Sequence, residues 1–203
     1  MHKRLEDSRF CSIDIETTGL NIASDEIIAF ACIPIDKSKI LVRDLYYTLI
    51  KPNEYVFSSM KYHGISKDNL TNAPVFKDIA DRIMNVLDGV LIGYAVDFDY
   101  SFLRRYFKGL GVKLKRDVLD IAMIEKGLRH QLGDVCGDLS FEAIMSFYGL
   151  RPCYRHNACA DAFLAAQIFQ FQMRKLSALG LDSTDRIIKF VKRHRYADPG
   201  LAF

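Results

Sequence analysis

The spacing of apolar residues along this chain changes from a period of two to a period of 3.6, and that change limits the architectures open to it. From residue 10 to 16 the side chains alternate. Cys11, Ile13 and Ile15 point one way and Ser12, Asp14 and Glu16 the other, a strand halted by Thr17-Thr18-Gly19. Two more apolar, β-branched runs, 26–35 and 40–50, flank the polar turn Asp36-Lys37-Ser38-Lys39 and close at Pro52-Asn53. Three sequential strands with short connections predict an antiparallel meander. Beyond residue 57 the pattern is helical. Pro74 stands where a first helical turn accepts proline, and Phe76, Ile79, Ala80, Ile83, Met84 and Leu87 form a stripe that ends at Gly89. A short apolar strand at 90–95 leads into a helix striped by Phe98, Phe102, Leu103, Tyr106, Phe107 and Leu110. A last strand is expected at 118–121, and helices over 122–128, 140–148, 157–176 and 183–195. Strands early and helices late predict an α/β fold, a mixed sheet flanked by helices.

At 203 residues, half of them hydrophobic, the chain can bury the core of one generous domain. The one boundary worth entertaining, at 180–183, divides it into 1–180 and a C-terminal helical extension, 181–203, expected to pack on the same domain. A formal charge of +3 is compatible with nucleic acid without demanding it. Cys11, Cys32, Cys136, Cys153 and Cys159 are odd in number and form no C-x-x-C pair, so they predict small buried side chains in a reducing cytoplasm rather than a disulfide framework or zinc knuckle. The charged start and the lack of a long uncharged apolar run predict no signal peptide and no membrane span.

Three segments carry candidate chemistry. Asp14-x-Glu16 ends an otherwise apolar strand, and spacing by two puts both carboxylates on one face, about 7 Å apart along the chain, where they can share a hard divalent cation. A solvated strand face would look the same, but the Thr-Thr-Gly-Leu turn that follows leaves backbone N–H groups free to meet an anion. Asp97 and Asp99 stand where strand 90–95 hands over to a helix. Either can satisfy first-turn backbone donors, although helix phase places Asp99 beside the apolar stripe. In His156-Asn157-Ala158-Cys159-Ala160-Asp161, five helical residues turn through about 140°, so His156 and Asp161 cannot face one site from inside the same helix. His156 is therefore expected on the entering loop, Asn157 as N-cap and Asp161 one turn in.

Together these segments resemble the DEDDh exonucleases, a family that includes the proofreading epsilon subunit of bacterial replicative polymerases, RNase T and oligoribonuclease. The resemblance runs over residues 8–175: Ile13-Asp14-Ile15-Glu16-Thr17-Thr18-Gly19-Leu20, then Tyr62-His63-Gly64-Ile65 with Ala73-Pro74-Val75-Phe76, then 93–103 around Asp99, then 156–161. It implies a ribonuclease-H-like fold whose five-stranded mixed sheet, three antiparallel strands first and parallel strands after, gathers Asp14, Glu16, Asp99 and Asp161 around two divalent cations, Mg²⁺ or Mn²⁺. Carboxylates without thiolates suit such hard ions, which also relieve the repulsion among four acids. It also implies His156 as general base, with Glu16 beside it in the catalytic set. An unperturbed imidazole, with a pKa of about 6.5, suits that task. Tyr154, seven residues before Asp161, is too far for the role that a tyrosine four residues before plays in the sister branch. Thr17, Thr18 and Leu20 align with contacts to the terminal nucleotide and His63 borders the same pocket, although Leu20 also fits a core position. Where the family often has His-Asn, this chain has Tyr94-Ala95, which changes the hydrogen bonding around Asp99.

The activity so implied is metal-dependent 3′-to-5′ exonuclease action on DNA 3′ ends, in replication proofreading or repair, with a polymerase complex as partner. The readings held against it are an RNA-trimming exoribonuclease and a catalytically silent binding module. His2, His130 and His194 match no metal spacing and are expected in solvent. The basic helix with Lys189, Lys192, Arg193 and Arg195 can either guide a phosphate backbone or simply pack its apolar stripe and leave its charges in water.

Overall fold

The computed structural model describes residues 4–134, 137–151 and 156–195; Cys136, Cys153, Tyr154 and His2 lie outside them. Strand β1 (Arg9–Thr17) is the spine. It pairs antiparallel with β2 (Ile27–Asp36) on one side and parallel with β5 (Val90–Gly93) on the other, and β5 in turn pairs parallel with β6 (Val118–Asp120). The expected third strand is present in two pieces along the outer edge of β2, β3 (Lys39–Ile40) and β4 (Tyr46–Leu49), so the mixed sheet has six strands among the described residues. Pro34 accounts for the break. Its carbonyl accepts from the Leu41 N–H at 2.9 Å, but proline has no N–H to return, and the pairing lapses into a tight turn over Val42–Asp44.

Eight α-helices complete the described chain: α1 (Met60–His63), α2 (Lys67–Leu70), α3 (Phe76–Val86), α4 (Val96–Gly109), α5 (Ile121–Gln131), α6 (Phe141–Phe147), α7 (Ala158–Ala178) and α8 (Thr184–Arg195). The two short helices were not foreseen, being too brief to show a period. Pro74 falls two residues before α3 rather than in its first turn, where its carbonyl accepts from Lys51. The alternation read along β1 holds. Cys11, Ile13 and Ile15 pack with Phe30, Cys32, Phe76, Ile83, Phe102 and Phe107 beneath α3 and α4, while Phe10 lies against Phe169 of α7 on the opposite face. That opposite face is therefore not open to solvent. It is covered by α7, whose small residues Ala158, Ala162, Ala165 and Ala166 are all buried against the sheet and its neighbours and let the helix lie close.

Helix α8 joins the same core through Ile187 and Val191, while Lys189, Lys192 and Arg193 face water, as the simpler of its two readings expects. Gly127 in α5 makes this docking feasible, because a Cβ there would stand 2.5 Å from the Phe190 ring. His194 is buried, contrary to expectation. Its Nδ1 lies 2.8 Å from the Phe190 carbonyl and its ring packs edge-on to His130, whereas His130 is exposed. Residues 4–8 tie to the same extension, with Leu5 N–H donating to Asp182 O at 2.7 Å.

Under α7 lies a fully buried carboxylate. Glu125 accepts from Tyr148 Oη at 2.7 Å, Gln172 Nε2 at 3.1 Å and Arg129 Nε at 3.1 Å, so α5, the residue after α6, and α7 share one hydrogen-bonded node. Burial, with Glu125 adjacent, pushes the Tyr148 phenol up, so it remains a donor throughout the accessible pH range. Breaking a buried charged network leaves its partners unsatisfied. Glu125→Ala is expected to lower unfolding free energy by about 3 kcal/mol, read as a shift of the urea midpoint without change of slope.

Candidate active site

Asp14 and Glu16 project from the C-terminal end of β1 toward α7. Their placement depends on how closely α7 rests on the strand, and a buried hydrogen bond fixes that approach: Ser12 Oγ donates to the Ala162 carbonyl at 2.7 Å. The neighbouring residue on the helix is Asp161, one turn beyond the N-cap Asn157, whose side chain accepts from Ala160 N–H at 3.1 Å. Asp14, Glu16 and Asp161 thereby each offer one carboxylate oxygen within 4.8 Å of the others. Beside Glu16 the β1–β2 register slips, Glu16 opposing Ala29 and Thr17 opposing Ile27, so Ile28 is an extra residue and the strand end is bent at the site. An all-oxygen set of this kind fits a hard divalent cation and gives a softer metal no thiolate.

Asp99 stands beside this group rather than within it. The α4 helix begins at Val96, so Asp97 and Asp99 both lie in its first turn, and Asp99 is only 4% exposed. Its Oδ1 accepts from the backbone N–H of Ile15 at 2.9 Å, between the two strand acids. β5 pairs with β1 only as far as Ser12, so the carboxylate occupies the place a further strand residue would have taken. Burial pushes the Asp99 carboxyl up, and nearby Glu16 and Asp120 add to the shift, while the Ile15 hydrogen bond opposes it. The turn into α4 is tight. A Cβ on Gly93 would meet the Ile13 carbonyl at 2.8 Å, and Ala95 takes a left-handed φ of 49°.

His156 lies on the loop entering α7, as the spacing requires, with a left-handed φ of 57° that costs a non-glycine residue about 1 kcal/mol. Its backbone N–H donates to Asp161 Oδ2 at 3.1 Å, so the acid orients the loop that carries the imidazole. Asp14, Ile15, Glu16, His156, Asp161, Tyr94 and Phe141 line a cavity of about 160 Å³. Tyr94 stacks on Phe141, ring centroids 5.0 Å apart, and its phenol is pushed up by burial and by Asp120 and Glu142. Phe141 as a wall was not read from the sequence. It is the first residue of an ordinary amphipathic helix, and only the tertiary fold brings it to the cavity.

The remaining sequence candidates divide. Thr17 and Thr18 spend their hydroxyls on the turn itself: Thr17 Oγ1 donates to Gly19 O at 2.7 Å, and Thr18 Oγ1 donates to Asp25 at 3.3 Å and accepts from Glu26 N–H at 2.9 Å. Leu20 is 84% exposed, which removes the core reading. His63 is buried, its Nδ1 accepting from Ile65 N–H and its Nε2 lying 3.0 Å from Ser59 Oγ. An accepting Nδ1 requires the neutral ring, and burial holds the His63 pKa below its ordinary value. The unfolded chain therefore protonates this ring first as pH falls. The stability His63 contributes is complete above about pH 6.5 and declines from there toward its lower folded pKa. Denaturant titrations of wild type and His63→Gln at pH 7.5 and 5.5 should show a smaller loss on acidification for the variant.

The exonuclease family profile, RNase T type, matches residues 11–169. The PolC-type DNA polymerase III of Caldanaerobacter subterraneus subsp. tengcongensis is 28% identical over 183 residues, 89% of this chain but 13% of the polymerase. The chain thus spans only a small part of the PolC-type relatives it matches. The DNA polymerase III epsilon subunit of Buchnera aphidicola subsp. Schizaphis graminum is 30% identical over 170 residues, 79% of this chain and 72% of the subunit. Among solved structures, E. coli exonuclease I in complex with a dT13 oligonucleotide superposes with a TM-score of 0.72 at 18% identity, over 85% of this chain and 42% of that one. Exonuclease X in complex with 5′-overhanging duplex DNA gives 0.65 at 17% identity, over 90% and 98%. At those identities the likeness establishes the fold, the ribonuclease-H-like sheet and helices of such exonucleases. The profile runs from the start of β1 to the middle of α7 and so takes in each segment that builds the acidic cavity; the chain belongs to the exonuclease family of the RNase T type.

Proposed function

We propose that the chain is a metal-dependent 3′-to-5′ exonuclease, hydrolysing phosphodiester bonds at nucleic-acid 3′ ends with DNA favoured. The observation that carries this reading is the convergence of three carboxylates, two from β1 and one from α7, within 4.8 Å of one another in a cavity that His156 also lines. Asp14, Glu16 and Asp161 would hold divalent cations, Mg²⁺ or Mn²⁺, with Asp99 as the fourth acid. Two such ions, when bound, supply positive charge for activating water and for the oxygen leaving the scissile phosphate.

The chain's own residues account for the rest. His156 takes the proton of the attacking water as general base, held at the cavity rim because its backbone donates to Asp161. Asp99 keeps the end of β1 in place through Ile15, so that Asp14 and Glu16 present fixed oxygens. Tyr94 and Phe141 close the wall against bulk water. Exposed Leu20 offers an apolar surface to the terminal base, while Thr17 and Thr18 shape the turn that presents it. Residues 181–203 act with 1–180 as one unit. DNA as substrate, and proofreading beside a polymerase, draw support from the relatives named as DNA polymerase III subunits and from the DNA oligonucleotides in the neighbouring structures.

Digestion of 3′-labelled DNA and RNA oligomers of equal length, with Mg²⁺ or Mn²⁺, tests the reading. DNA is expected to be shortened from the 3′ end faster than RNA, and faster cleavage of RNA would reassign the substrate. Wild-type protein that leaves every end intact would refute the activity. Asp14→Ala should abolish metal-dependent cleavage. His156→Ala should lower kcat by about 10² to 10⁴, with Mn²⁺ binding retained.

A further inference from the structure

Two stretches of this chain, 100–116 and 186–195, carry Lys and Arg without any Asp or Glu. Between residues 100 and 116 stand Arg104, Arg105, Lys108, Lys113, Lys115 and Arg116 with no Asp or Glu among them, against a formal charge of +3 for all 203 residues, so the rest of the chain is net negative. Four of these cations line one groove. Ser101, Arg104, Arg105 and Lys108 present one face of α4, since they recur at helical spacing, and the segment 111–114 forms the opposite wall, enclosing about 640 Å³. Arg104, Lys108 and Lys113 are exposed and, among the described residues, pair with no acid. Arg105 is held differently, donating to the Asp25 carbonyl beyond the Thr17–Gly19 turn, which ties the groove to the segment that follows the strand acids.

Folding alone does not explain such clustering. Like charges this close repel, and nothing in the described structure neutralises them. A polyanion would. The groove lies on the helix that begins at the cavity: Arg104 is five and Lys108 nine residues beyond Asp99, about 8 and 14 Å along the α4 axis and about 140° and 180° around it, so a strand leaving the cavity reaches them by passing over the flank of α4. At 3.4 Å per nucleotide of a B-form strand, the axial rise alone is roughly two to four nucleotides, and the path around the helix adds to it.

We propose that the groove between α4 and residues 111–114 is a phosphate-backbone track, in which Arg104, Lys108 and Lys113 hold a polynucleotide several nucleotides away from the acidic cavity. The proposal rests on the exonuclease reading for its direction but not for its test. It makes the preferred substrate a chain of several nucleotides rather than a dinucleotide, because only a longer strand reaches the groove.

The test is binding of a fluorescein-labelled oligothymidylate of about 20 nucleotides, longer than the roughly 4–16 that single-strand sites commonly cover, followed by anisotropy in EDTA so that no cleavage occurs. The wild type is compared with the triple variant Arg104→Gln, Lys108→Gln, Lys113→Gln. A second triple variant, Lys189→Gln, Lys192→Gln, Arg193→Gln, removes the same charge from exposed positions of α8. The α4 variant should bind at least about tenfold more weakly at low salt, with the slope of log affinity against log salt reduced by about two, the share of three phosphate contacts on a single strand. The α8 variant should keep the wild-type slope. Equal losses in both variants would reduce the effect to overall charge and overturn the track, as would an α4 variant that binds like wild type or a wild type that does not bind. Thermal melts of both variants exclude unfolding as the cause. Hydrolysis of a chromogenic nucleotide phosphodiester with Mn²⁺ reads the cavity alone, so failure of the track and failure of the exonuclease reading give different results.

Discussion

One hydrogen bond, from the Ile15 N–H to Asp99, sets the geometry on which the rest of the site depends. A strand inside a sheet is normally positioned by ladders on both sides, but β1 outruns β5 by several residues, and it is in this unsupported stretch that Asp14 and Glu16 lie. A carboxylate from the first turn of α4 takes over from the missing strand. The end of β1 is thereby fixed by β2, by Asp99 and, through Ser12, by α7. Three elements from distant parts of the chain are registered to one another within a few residues of the acids. A site that gathers several negative groups requires such bracing, since their mutual repulsion would otherwise move the strand end.

Much of this was legible in the sequence because it is local. The alternation along β1, the two-residue spacing of Asp14 and Glu16, and the five-residue spacing that forces His156 out of the helix are consequences of strand and helix periods alone. Asn157 as N-cap followed from the same reasoning, and the cap is present. The four motifs in order added what periodicity could not, namely that these segments meet. Less legible was whatever depends on a partner far along the chain. Leu20 has no periodic context, so its exposure could not be assigned. The burial of His194 follows from a glycine on another helix that opens a notch for Phe190. The division of the third strand turns on a proline in the second, whose missing donor is an absence on the neighbouring strand rather than a signal on its own.

The two faces of the sheet are built for different purposes. Beneath α3 and α4 the packing is broad and aromatic, with Phe76 in contact with both Tyr106 and Phe107. Over the other face, α7 lies close on alanines, and the polar node at Glu125 locks it to α5 and to Tyr148 after α6. A large aromatic residue at the start of α7 would lift Asp161 from its partners. The same alanines that lower the helix onto the sheet therefore set the distance at which three carboxylates can share an ion. The phenol of Tyr94, stacked on Phe141, gives an aromatic wall to a cavity otherwise lined by Asp14, Glu16, His156 and Asp161.

The left-handed backbone at His156 has a thermodynamic consequence of its own. Glycine or asparagine would sit there with less strain, so replacing the imidazole by either also relaxes the loop. Loss of the imidazole at this position is thus energetically downhill, and backbone stability does not account for the histidine. A protein of this design can slide toward being a well-folded scaffold without crossing any stability barrier.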